Sequence, residues 1–156
     1  MEWPIGAISW EDSVDYCAWL TKTCGGGEWR FELPSEDEWE KAARGCDGRF
    51  FPWGNGFDPT FCNMRGSREG EQERQRLPEP RGLFPLDESP YGVRDLAGGM
   101  SECSATVSGS RAEHRIEKGG SLAGAEALCR SAYRQLIGPR NVNFVTGFRV
   151  CARRTR

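Results

Sequence analysis

Beyond Arg44 this chain never again holds a helical period, which confines its helices to the N-terminal part. Two helix starts precede that point. Ser9-Trp10-Glu11-Asp12 puts a capping hydroxyl ahead of two acids, matching the orphan N–H groups and positive pole of a helix start. Trp10, Val14, Cys17 and Leu20 follow at helical spacing. A helix is expected over 10–22, with Cys17 on its buried stripe and Gly25-Gly26-Gly27 ending it. Ser35-Glu36-Asp37-Glu38 is a capping box behind Pro34. Trp39, Ala42 and Ala43 give it a short apolar face and Gly45 stops it, so the second helix is expected over 36–44. From Cys46 onward 20 Gly and 9 Pro chain-wide favour turns, loops and short strands. Two early helices followed by such a run make an α+β domain.

Phe50-Phe51-Pro52-Trp53-Gly54-Asn55-Gly56 reads as a compact aromatic turn, and the charged stretch 65–76 as an exposed loop. Pro78, Pro80, Pro85 and Pro90 exclude a central strand from their segment. Residues 118–150 begin with a Gly-Gly-Ser turn and a strand-like piece, Cys129 to Arg134. An irregular run, 135–146, leads to Gly147-Phe148-Arg149-Val150. Fixed punctuation around an irregular middle reads as a frame presenting a loop. No repeat or linker divides the chain, so residues 1–156 form one domain.

A net charge of −2 argues against nucleic acid as a partner. No apolar run approaches the ~20 residues of a membrane span. The N-terminus lacks the charged and apolar regions of a signal peptide, so a cytoplasmic location is expected. Seven cysteines never form C-x-x-C, which removes zinc-ribbon spacing. Buried free thiols are expected, with one or two bridges as the alternative. The single histidine, His114, lies in a polar stretch and reads as a surface residue.

The landmarks taken in order resemble the formylglycine-generating-enzyme-like, or sulfatase-modifying-factor, family. They are Ile8 to Asp12 with Tyr16 to Leu20; Leu33 to Glu40 with Ala42 to Gly45; Phe51 to Asn55; Ser89 to Gly98; Gly119-Gly120-Ser121; Cys129 to Arg134; and Gly147-Phe148-Arg149. The resemblance implies a C-type lectin-like fold: two helices, a small twisted antiparallel sheet and much irregular loop. Family members usually begin with a further strand and helix, so a truncated or minimal domain is expected. Irregular chain needs partners for its backbone, and Arg44, Arg130, Arg134 and Arg149 are expected to act as struts.

Enzymes of this family resemble copper-dependent oxidases that hold the metal on two cysteines, i and i+5, after the Gly-Gly-Ser turn. Soft thiolates select Cu(I), and a linear site needs two. Here those positions are Gly124 and Cys129. One thiolate does not make that site, so neither copper nor formylglycine generation from a substrate cysteine is expected. That oxidase is the alternative reading, with Cys129 its only candidate catalytic residue. The iron-dependent sulfoxide synthases of the same family need several histidines, which are absent.

The resemblance also implies structural calcium on Asp95 and Glu102 side chains with carbonyls of Gly98 and Met100, hard oxygen donors that suit this ion. A second site would use Asn63 and Met64. A bridge between Cys17 and Cys151 is implied too, although Cys151 stands one residue from the relatives' position. The expected function is non-catalytic binding of a protein or small ligand at the 122–146 surface. The expected contact residues are Leu122, Ala123, Gly124, Gln135, Leu136, Ile137, Arg140, Asn141, Asn143 and Phe144. Two settings suit it: an accessory domain of a signalling protein, or the variable protein of a diversity-generating retroelement. Diversified AAC codons cannot yield Gln, Glu, Lys, Met or Trp; residues 136–138 and 140–146 obey this rule and Gln135 does not.

Overall fold

A computed structural model of the chain describes residues 2–67, 77–109 and 113–155. Most of the charged stretch expected as an exposed loop, residues 68–76, lies outside them. Helix α1 is Trp10–Cys24, two residues longer than expected, and α2 is Glu36–Arg44. Both begin with complete capping boxes, Ser9 with Asp12 and Ser35 with Glu38, and each satisfies two orphan donors. Cys17 is buried on α1 as its spacing implies, whereas Val14 faces solvent.

The strands are β1 (Trp29–Glu32), β2 (Ser101–Val107), β3 (Arg115–Lys118), β4 (Gln135–Ile137), β5 (Thr146–Gly147) and β6 (Cys151–Arg154). Four of them form one sheet in the order β4-β3-β2-β5. It is antiparallel except that β5 runs parallel to β2, which corrects the wholly antiparallel expectation. β1 and β6 pair separately, Trp29 opposite Arg154 and Glu32 opposite Cys151, so the last strand closes onto the first. Residues 129–134, expected to be strand-like, form the end of a 3-10 turn (Glu126–Cys129) and bends instead. Strand pairing begins only at Gln135.

The apolar core is divided into three small clusters. Cys17, Leu33, Cys103 and Ile137 join α1 to the sheet; Trp39, Ala43 and Leu96 seat α2; Phe51, Cys62, Met64, Ala97 and Cys129 pack under the aromatic turn. Charged groups are buried among them. Lys118 is 0% exposed, with its ammonium 3.0 Å from Glu40 and 5.6 Å from the centre of the Trp39 ring. A buried ammonium needs such partners, since desolvation alone would neutralise it. The Gly-Gly-Ser turn locks onto the 98–99 loop: Gly98 N–H donates to the Gly119 carbonyl at 2.8 Å, and Leu122 N–H to Gly99 at 3.0 Å. A Cβ on Gly120 would stand 2.6 Å from the Leu128 carbonyl oxygen, and its φ is +70°. Only glycine fits there.

All seven cysteines are free, Cys17 and Cys151 included. The implied bridge is absent, and free thiols stand as the residues alone indicated. Four are buried (Cys17, Cys62, Cys103 and Cys129), two are exposed (Cys24 and Cys46), and Cys151 is half-buried.

Candidate functional site

The irregular run 135–146 forms one wall of an open groove of about 460 Å³. β4 supplies Gln135, Leu136 and Ile137, and the loop after it supplies Arg140, Asn141, Val142 and Asn143. Glu117 and Thr146, both buried, lie at its floor. The loop is tied down by its backbone rather than by an apolar core. Asn141 N–H donates to Gly138 at 3.0 Å, Thr146 N–H to Asn143 at 3.1 Å, and Ala7 N–H to Asn143 at 3.2 Å. Glu11 N–H reaches Pro139, and the Arg140 side chain meets the Glu11 carboxylate at 3.1 Å. That pair is largely exposed, with Arg140 at 84%, and contributes little stability. The rim is thus anchored mainly through its main chain.

At the floor, Glu117 is 2% exposed and accepts a hydrogen bond from the Thr146 hydroxyl at 2.8 Å. Burial raises its carboxyl above the ordinary range, and the Thr146 hydroxyl works against that rise. The groove therefore offers a sequestered carboxyl below, amides from Asn141 and Asn143 at the side, and apolar Leu136 and Val142 at the rim. Such a mixture of an apolar lining with a few fixed polar groups suits binding.

Of the ten residues expected to contact a ligand, six meet here: Gln135, Leu136, Ile137, Arg140, Asn141 and Asn143. Ile137 belongs mainly to the core against Cys17, Leu33 and Cys103. The other four do not line the groove. Leu122 and Gly124 are buried in the Gly-Gly-Ser turn, a correction to their expected exposure, while Ala123 and Phe144 are exposed elsewhere. Glu117, Val142 and Thr146 complete the lining. Glu117 was hard to see in the sequence. In the four-residue strand Arg-Ile-Glu-Lys, two adjacent charges read as surface, yet both are buried.

The acidic loop after Pro90 carries the residues that the resemblance implies for calcium. Both Glu102 oxygens are already occupied. Trp39 Nε1 donates to one at 2.6 Å, Arg149 Nη2 to the other at 2.6 Å, and Arg149 Nε joins them. Arg149 also caps the Asp95 carbonyl at 2.9 Å, and Asp95 Oδ2 accepts from Gly82 N–H at 2.8 Å. The guanidinium lodged against the carboxylate supplies its counter-charge. Gly98 has φ +71°, and a Cβ there would sit 2.3 Å from the Asn63 oxygen, so its role is close packing. Met100 is buried beside it. The Asn63 carbonyl, named for the second site, accepts from Gly99 N–H at 2.6 Å. Among the described residues no three His, Cys, Asp or Glu side chains are grouped to hold a metal. Asp95, Gly98, Met100 and Glu102 line one cavity together with Asn63, and there the Glu102 carboxylate is committed to Arg149 and Trp39.

Of the four expected struts, Arg149 and Arg44 behave as such. Arg44 holds Glu40 at 2.6 Å and the Gly48 carbonyl at 2.8 Å. Arg134 makes an exposed pair with Glu36, and Arg130 lies over the Phe50 ring at the surface. His114 is half-buried rather than a fully exposed residue.

At the position of the copper cysteines, Gly124 lies in a turn whose N–H donates to Ser121, and its carbonyl accepts from Arg65. Cys129 is fully buried with Cys62 under Phe51, flanked by Trp53 and Phe57. The hydrogen bond that Cys62 donates to Cys129, and then burial, push the Cys62 thiol far above its ordinary range. The Cys62 sulfur is thereby kept as a thiol.

Residues 1–154 match the model of the sulfatase-modifying factor enzyme 1-like domain. The inactive C-alpha-formylglycine-generating enzyme 2 of Bos taurus is 34% identical over 113 residues, 68% of this chain and 34% of that protein. The formylglycine-generating enzyme of the same species is 31% identical over 172 residues, 96% of this chain and 44% of that protein. The chain thus spans less than half the length of either relative. Among solved structures, PvdO from Pseudomonas aeruginosa superposes with a TM-score of 0.81 at 25% identity, over 99% of this chain and 63% of that one. Treponema denticola variable protein 1 does so with a TM-score of 0.76 at 18% identity, over 99% and 72%. The chain belongs to the sulfatase-modifying factor enzyme 1-like family and has its C-type lectin-like fold.

Proposed function

We propose that this domain is a non-catalytic binding module whose ligand, a protein segment or small molecule, seats in the 135–146 groove. The observation that carries this reading is the division of labour within residues 117–149. Arg149, Glu102, Trp39 and the Gly-Gly-Ser turn hold the frame, while Leu136, Arg140, Asn141, Val142 and Asn143 have exposed side chains outside the apolar core. Exposed Leu136 and Val142 give the groove apolar side chains with reason to be covered. Gly124 supports the same reading, because it leaves Cys129 without the second thiolate that copper chemistry requires. An inactive relative shows that the family accommodates members without the activity.

The setting of a retroelement variable protein is supported by the fold shared with Treponema denticola variable protein 1. The burial of Ile137 and Thr146 narrows the positions free to vary to the exposed ones around them. In that setting, DNA flanking the gene carries a near-copy of the region coding for 122–146 and a reverse-transcriptase gene. A kinase domain in the same gene, without that copy, supports the signalling setting instead.

The groove itself is tested by thermal-shift screening of a peptide and small-molecule library against the wild type and an Arg140→Glu/Val142→Asp variant. Both sites are exposed, so the variant's own stability is expected to stay within about 0.5–1 kcal/mol of the wild type. Ligands that raise the wild-type Tm are expected to lose that effect in the variant. Hits that are all indifferent to the substitutions count against this site.

A further inference from the structure

A cluster far from the groove in sequence holds an activated thiol at the surface. Cys46 follows α2 directly after Gly45, whose φ of +67° turns the chain. A Cβ on Gly45 would lie 3.0 Å from Pro90 Cγ, so this turn packs on the 89–92 loop. Two elements therefore converge on one sulfur. Lys41, in the last turn of α2, places Nζ 3.0 Å from Cys46 Sγ. Tyr91, from the facing loop, places its hydroxyl 3.4 Å from the same sulfur. The ammonium also lies 5.8 Å from the centre of the Tyr91 ring, which ties the two partners to each other. All three side chains are exposed.

The chemistry of this arrangement is specific. An ammonium and a phenol O–H both stabilise a thiolate over a thiol, and the thiolate is the nucleophile. The hydrogen bond from Lys41, then that from Tyr91, hold the Cys46 thiol below its ordinary range. The opposing charge at the cluster is Asp47. Its carboxylate is pinned by Arg49 at 2.6 Å, which reduces its repulsion of the sulfur. The other exposed thiol, Cys24, is contacted by the Thr23 hydroxyl at 3.6 Å. It provides a comparison within the same molecule.

We propose that Cys46 is a modification site that captures low-molecular-weight disulfides, with Lys41 and Tyr91 as the groups that activate it. The Cys46 thiolate attacks one sulfur of the disulfide, that S–S bond breaks, and a mixed disulfide forms on the protein. The departing thiolate takes a proton from solvent. Cys46 is oxidised and one half of the small disulfide is reduced, so no further oxidant enters.

The test is competitive labelling of the full chain with iodoacetamide from pH 5 to 9, read by peptide mass mapping. Cys46 is expected to label about threefold or more faster than Cys24 at pH 7, because thiolate fraction outweighs the lower nucleophilicity of an acidic thiol. Its pH midpoint should lie below that of Cys24. Lys41→Met should move Cys46 most of the way to the rate and midpoint of Cys24 while leaving Cys24 unchanged. Tyr91→Phe should move it part of the way. Oxidised glutathione should then add one glutathione at Cys46 in the wild type, well before Cys24. Equal rates at the two cysteines, a Cys46 rate unmoved by Lys41→Met, or no adduct at Cys46 would each overturn the proposal.

Discussion

Replacing Arg149 by methionine is expected to destabilise the domain by about 2–4 kcal/mol, read as a lower midpoint of urea unfolding. Breaking a buried ion pair from one side costs this much because the remaining charge stays desolvated. Here that charge is Glu102, 8% exposed and left with the Trp39 indole as its named donor. The Asp95 and Arg94 carbonyls lose the same guanidinium. Arg149 is itself partly exposed, which sets the estimate below the top of the range for such pairs. The companion variant Glu102→Gln/Arg149→Met should recover part of the loss, since no charge is then stranded. A change below about 1 kcal/mol in the single variant would show that the pair is not a strut.

The second large effect is in pH. Asp87 is 1% exposed, and its Oδ2 accepts from Ala97 N–H at 2.9 Å while Oδ1 has no partner. Burial drives its pKa up to about 7, and the nearby Asp95 adds to the rise against the backbone donors and Arg149. The sign follows from proton linkage. Between about pH 4 and pH 7 the unfolded chain releases this proton and the folded chain keeps it. Asp87 therefore removes stability as pH rises through that window, and the full penalty is present above it. A shift of this size corresponds to an amount on the order of 2–4 kcal/mol. Asp87→Asn removes the titration. The difference between wild-type and variant unfolding free energies, measured from pH 4 to 8, should grow in the variant's favour and level off near pH 8. Glu117 shifts in the same direction but is common to both proteins, so it cancels in the difference. A flat difference, or one of opposite slope, would show that Asp87 is ionised in the folded state.

The helices were legible because their signals are local. A cap spans four residues or fewer, and both Ser9 and Ser35 cap helices where the sequence places them, the box at Ser9 and Asp12 being added by the structure. The sheet was less legible for the opposite reason. β4 has three residues and β5 two, too few to show a period, and the parallel pairing of β5 with β2 is set by the fold as a whole. The meaning of Glu102 depends on a residue 47 positions away. Read with Asp95 it is a calcium ligand; packed against Arg149 it is half of a buried ion pair. Likewise the resemblance sets Gly124 and Cys129 at the copper positions, but only the fold shows Cys129 buried beside Cys62. The groove was legible as a stretch, 135–146, and not as a shape. Its floor comes from Glu117 on β3, while Leu122 and Gly124 turn inward.

The reading of this domain as a binding module rather than an oxidase meets its most direct test in turnover. The full chain, reconstituted with Cu(I) under oxygen, is incubated with a cysteine-containing sulfatase peptide, and the peptide is assayed for aldehyde by hydrazide capture and mass. With Gly124 in place of the first thiolate, the peptide is expected to be recovered with its cysteine intact. Formation of formylglycine by this chain would contradict the proposal and assign the chemistry to a thiol site other than the paired cysteines of its relatives.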